Sequence, residues 1–164
     1  MAPKATVRRA VRRRWSGRAV DSRWWYWVAA VPAVFAFWLV AVAWVTVAVA
    51  LGPLADANPL AQAAEISMVA FVGPFLVLTI VFPFAVYADA TAVIDAAVGW
   101  RPPRAAVTGA AAVGPFVAVG GGLLDLLADG TFDVPGWAVV LGFLLAVPVA
   151  GYYLLRRHEE LGVP

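Results

Sequence analysis

The side chains able to do chemistry are few, and their spacing keeps them apart. General-base catalysis needs an imidazole or carboxylate within hydrogen-bond reach of a nucleophile. The single histidine, His158, precedes Glu159 and Glu160 but lacks the second histidine of a zinc-binding helix. Ser16, Ser22 and Ser67 stand in no nucleophile motif. With no cysteine, disulfides, thiolate metal sites and cysteine nucleophiles are excluded. Neither a phosphate-cradling glycine loop nor a dinucleotide fingerprint is present. Asp125, Asp129 and Asp133 recur at helical spacing after Gly120, Gly121 and Gly122, and three carboxylates on one face would suit a hard cation. Gly130 and Pro135 interrupt that helix, so the acids read as a solvated loop face; no metal, no cofactor and no enzymatic activity is expected.

The elements that must carry these residues follow from composition. Hydrophobic residues make up 63% of the chain and charged residues 13%, against roughly a quarter charged in a soluble domain. A chain of 164 residues cannot hide that much apolar surface from water. A bilayer core about 30 Å thick takes about 20 apolar residues per helical span, and four stretches qualify: about 24–51, 66–87, 105–128 and 136–155. Strands in lipid would leave backbone amides unpaired, so the spans are expected to be helices. The fold class is therefore an all-α membrane protein, an antiparallel bundle of four transmembrane helices. It is flanked by a basic arm at 1–23 and a tail at 156–164. A hydrocarbon layer of about 30 Å then separates Ser67 from His158, far beyond hydrogen-bond reach.

Charge sorting sets the orientation. Lys4 and Arg8 through Arg23 precede the first span, Arg101 and Arg104 lie between the second and third, and Arg156 and Arg157 follow the fourth. All twelve basic residues fall on one side with five acids, net +7, while the other side holds five acids and no base. Lys- and Arg-rich short loops stay inside, so both termini are expected in the cytoplasm of a multi-pass cell-membrane protein. Trp24, Trp25, Tyr26, Trp27, Tyr87, Tyr152 and Tyr153 gather at the same level, where amphipathic rings favour headgroups. The first span is too long for a cleaved signal, whose apolar core runs about 7 to 15 residues.

The arm places Val7, Val11, Trp15 and Ala19 at helical spacing with arginines on the remaining surface. Arg8, Arg9, Arg12, Arg13, Arg14 and Trp15, with Trp24 and Trp25, are the candidate membrane-surface contacts, the arginines meeting anionic lipid headgroups. The alternative is a disordered topology signal, since Gly17 weakens the helix. No nucleic-acid partner is expected, because no aromatic stacking platform accompanies the basic run.

Helices in lipid associate largely through close backbone approach along small residues. Span three carries such a ridge at Ala106, Ala110, Gly114, Ala118 and Gly122, and span four at Ala138, Gly142, Ala146 and Ala150. These ridges are expected to pack together, or one of them to serve a homo-oligomer or another membrane partner. Gly73-Pro74-Phe75 and Gly114-Pro115-Phe116 place Pro74 and Pro115 as candidate kinks. Spans two and four end in similar words, Phe82-Pro83-Phe84-Ala85-Val86-Tyr87 and Val147-Pro148-Val149-Ala150-Gly151-Tyr152, as a duplicated hairpin would.

At Trp100-Arg101-Pro102-Pro103, and at the closing run from Tyr152-Tyr153-Leu154-Leu155-Arg156-Arg157-His158 to Pro164, the chain resembles small multi-pass membrane proteins of halophilic archaea. The resemblance covers about the second half, with a departure at Pro103, where those proteins often carry a more polar residue. It implies a cell-membrane location and transfers no active-site residue. The functional expectation is a non-enzymatic scaffold, accessory subunit or lipid-interacting element. The alternative is a small oligomeric transporter or channel subunit.

Overall fold

A computed structural model of the protein describes residues 22–51 and 70–161, with the single positions 20 and 66. Its four long helices are α1 (Trp25–Leu51), α2 (Val72–Asp95), α3 (Arg104–Asp129) and α4 (Gly136–Leu161). Each is long and apolar enough to cross a membrane. At 1.5 Å per residue, 24 to 27 residues reach about 36 to 40 Å, more than the hydrocarbon layer requires.

Two helix C-terminal ends differ from the sequence reading. The second helix continues past residue 87 to Asp95, and the fourth past residue 155 to Leu161. Asp89, Arg156 and Arg157 looked like the ends of spans because isolated charges are expensive in hydrocarbon. In the fold Asp89 and Arg157 meet, and Arg156 pairs with Glu159 one turn on, so the charges do not end the helices.

The central pair is α2 and α4, each packing against both α1 and α3. The inner face of α2 runs through Phe75, Leu78, Phe82, Ala85, Val86 and Asp89, the three- and four-residue steps of one helical stripe. Phe75 stacks on Phe143 of α4, ring centroids 4.1 Å apart and planes 8° from parallel, and the Trp38 ring of α1 meets Phe75 edge-on. Every helix contains an internal proline: Pro32, Pro83, Pro115 and Pro148. In water each would break its helix, but in an apolar surround the remaining backbone bonds have no solvent competitor.

Two of the described helix ends turn through left-handed backbone. Gly130 ends α3 in the left-handed region at φ 73°, its N–H donating to the Leu126 carbonyl. At the end of α2 that conformation falls on Ala97, φ 50°, where a Cβ makes it unfavourable.

Candidate functional site

The charges buried in the bundle come together in one cluster. Tyr153 and Arg157 stand four residues apart on α4, so both project from one face toward α2. There Asp89 continues the stripe of Phe82, Ala85 and Val86 and is fully buried. The Tyr153 hydroxyl donates to Asp89 Oδ2 at 2.9 Å, and Arg157 Nε donates to the same oxygen at 3.0 Å. Two rings close the cluster: Trp25, at the start of α1, lies 5.7 Å from the Arg157 guanidinium carbon, and Trp100 packs 5.9 Å from the Tyr153 ring. The start of α1, the end of α2, the end of α4 and the segment after α2 are thereby tied at one end of the bundle.

The electrostatics require this pairing. Either ion alone in an apolar surround would cost several kcal/mol. The Arg157 side chain is 6% exposed and that of Asp89 0%, so water supplies almost none of that solvation. The guanidinium gains further from the face of the Trp25 indole. Asp89 Oδ1 has no partner, so the carboxylate is only half satisfied and retains an acceptor inside the protein. Thr79 and Thr108 likewise bury hydroxyls without a partner. Thr46 and Thr91 instead donate back to the carbonyls of Val42 and Tyr87.

Sequence reasoning placed Asp89 in a loop and Arg157 in the tail, and so missed the cluster. A signal was present: Val86, Asp89, Ala90 and Val93 extend the period of Leu78 and Phe82, so Asp89 falls on the inner face. A lone acid on such a face calls for a basic partner.

The small-residue ridges are placed as follows. Gly114 and Gly142 touch backbone to backbone: a Cβ on Gly114 would lie 2.6 Å from the Gly142 carbonyl oxygen, and one on Gly142 2.5 Å from that of Gly114. Ala118, Gly122, Ala146 and Ala150 are buried, as is Ala138. Ala106 and Ala110 are exposed in the single chain, and Val107 and Ala111 take the inner face at that end of α3. A strict four-residue step drifts around a helix of 3.6 residues per turn, and alternating steps of four and three restore the stripe. At the far end, Gly121 admits Ala138 and Pro135, and Gly122 admits the Phe132 ring.

Pro115 lies inside α3, whereas Pro74 is the third residue of α2. Pro74 has no N–H to donate to the carbonyl of Ala70, four residues back and itself helical, and Phe71 between them keeps a right-handed helical backbone. Trp24 is 44% exposed, while Trp25 stacks on Tyr26 and packs on Arg157 rather than standing free at the surface. Arg8, Arg9, Arg12, Arg13, Arg14 and Trp15 lie outside the described residues. Among the described residues no three potential metal ligands come together. No protein-family model, curated protein or solved structure matches the chain, so the reading of this site rests on its own geometry.

Proposed function

We propose that this is a non-enzymatic multi-pass protein of the cell membrane, with both termini cytoplasmic, acting as a scaffold or accessory subunit. The observation that carries the reading is the filling of the bundle axis. From Phe75 to Val86 the inner stripe of α2 presents only apolar side chains and Thr79, over roughly 16 Å at 1.5 Å per residue. A solute path needs polar groups along its length, and the buried charges sit at one end, bonded to each other. The cytoplasmic placement of both ends, in an antiparallel bundle, draws support from the contact of Trp25 with Arg157 and from the arginine distribution. The long apolar face that α1 leaves exposed, including Phe37, Val40 and Trp44, suits lipid or a membrane partner. Purification from native membrane in mild detergent tests the role: a stoichiometric companion is expected, and its absence at every detergent strength would refute it.

A second reading, a small oligomeric transporter or channel subunit, draws on Asp89. A membrane-embedded carboxylate with an unpartnered oxygen is the kind of group that proton and ion pathways use. Ion or proton flux into reconstituted vesicles, abolished by Asp89→Asn, would favour it over the first. Flux equal to that of empty vesicles would eliminate it.

A further inference from the structure

At the basic end of the bundle a cavity of about 740 Å³ opens between the segment leading into α1 and the last turns of α2. Arg23 and Trp24 form one wall. The other is a single helical face, with Tyr87, Ala88, Thr91 and Asp95 at steps of one, three and four residues. The opposite face of the same turns, Val86, Asp89, Ala90 and Val93, is buried in the bundle, so the cavity is distinct from the Asp89 cluster. Arg104 places its guanidinium carbon 5.1 Å from the Tyr87 ring centroid, bringing a second cation beside this wall.

We propose that this cavity holds the headgroup of an anionic phosphodiester lipid whose headgroup also carries a hydroxyl. Arginine recognises phosphate through a planar set of donors; among the described residues Arg23 lines the cavity and Arg104 stands beside its Tyr87 wall. Asp95 disfavours a bare phosphate and accepts from a headgroup hydroxyl, which selects a polyol ester. Trp24 and Tyr87, half exposed, are rings of the type that lies at headgroup depth. Below Tyr87 on the same face of α2 stand Phe84, Ile80 and Val77, all exposed, a continuous apolar track for the acyl chains. A soluble anion would make no use of that track.

The inference rests on the chain's lying in a bilayer with this end at the headgroups, but it does not depend on scaffold or transport activity. It is tested by native mass spectrometry of the full chain released from detergent micelles doped with phosphatidylglycerol, phosphatidylcholine or inorganic phosphate. One phosphatidylglycerol is expected to remain bound in preference to phosphatidylcholine. Arg23→Gln and Arg104→Gln should each weaken retention about tenfold, the loss of one charged hydrogen bond. Ala88→Leu should do the same by projecting an isobutyl group from the cavity wall into the headgroup's place with no change in charge, while Arg156→Gln, an exposed arginine outside it, should change nothing. Equal loss in Arg156→Gln and Arg23→Gln, indifference to Ala88→Leu, or displacement of the lipid by inorganic phosphate would each overturn the proposal. Should an arginine variant fail to fold, the Ala88→Leu and lipid-selectivity measurements decide. A failure here leaves native-membrane co-purification unaffected, so the two readings fall separately.

Discussion

Replacing Arg157 by methionine isolates the energetics of the buried cluster. Methionine roughly keeps the length and packing of the side chain while removing its charge. Asp89, with no exposure to water, would then keep a carboxylate whose one remaining partner is the Tyr153 hydroxyl. The lost contacts are one charge-assisted hydrogen bond of 3.0 Å and one cation–ring contact at 5.7 Å. At about 1.5 to 3 kcal/mol for the first and about 0.5 to 2 for the second, the loss is about 2 to 5 kcal/mol. That overlaps the cost of about 3 to 5 kcal/mol for breaking a buried pair from one side. In a chain of this length about 1 kcal/mol moves the melting temperature by about 2 to 4 °C, so a drop of about 4 to 20 °C is expected. The assay is thermal unfolding of purified protein in one detergent at fixed pH, followed by tryptophan fluorescence or by loss of monodispersity. The companion is the triple variant Asp89→Leu, Tyr153→Phe, Arg157→Met, which removes both charges and the hydroxyl that would be stranded. It should recover most of the loss, because well-packed apolar replacements of buried ion pairs are often neutral or stabilising. An Arg157→Met protein melting within about 2 °C of wild type, or a triple variant as unstable as the single, would refute the electrostatic account; the second result would assign the loss to packing.

Four other substitutions probe the backbone contacts and unpaired groups. Gly114→Ala should destabilise by about 1 to 3 kcal/mol, since its Cβ would meet the Gly142 backbone, which cannot rotate away as a side chain would. Gly109→Ala, in the same helix with open space around it, should be neutral or raise the melting temperature; equal effects at the two glycines would show that α3 and α4 do not approach as described. Thr79→Val removes a buried hydroxyl with no partner at nearly constant volume, and a gain of about 1 kcal/mol is expected; a loss of that size would mean the hydroxyl is bonded. Ala97→Gly should stabilise by about 1 kcal/mol by relieving the positive φ after α2, and a melting temperature below wild type would count against that turn geometry.

The sequence is legible where one physical term dominates. Long apolar runs can be read without knowing what they touch, because lipid imposes the same requirement on every span. Gly114 and Gly142 stood out for a similar reason: without a Cβ they can serve the closest backbone approach available to helices. What could not be read is the identity of partners. Asp89 and Arg157 are sixty-eight positions apart, and each alone reads as a charge marking the edge of the bilayer. Only their meeting converts two expensive ions into one neutral, hydrogen-bonded unit that lets both helices continue. A four-residue count along α3 stays on the inner face from Gly114 to Gly122 and has turned outward at Ala110 and Ala106, because 3.6 residues make a turn. The charged residues of a membrane helix are thus poor boundary markers when an opposite charge waits on a neighbouring helix. An acid at the inner-face phase of its own helix is better read as one half of a pair, with the basic residues at the same membrane level as the candidates for the other.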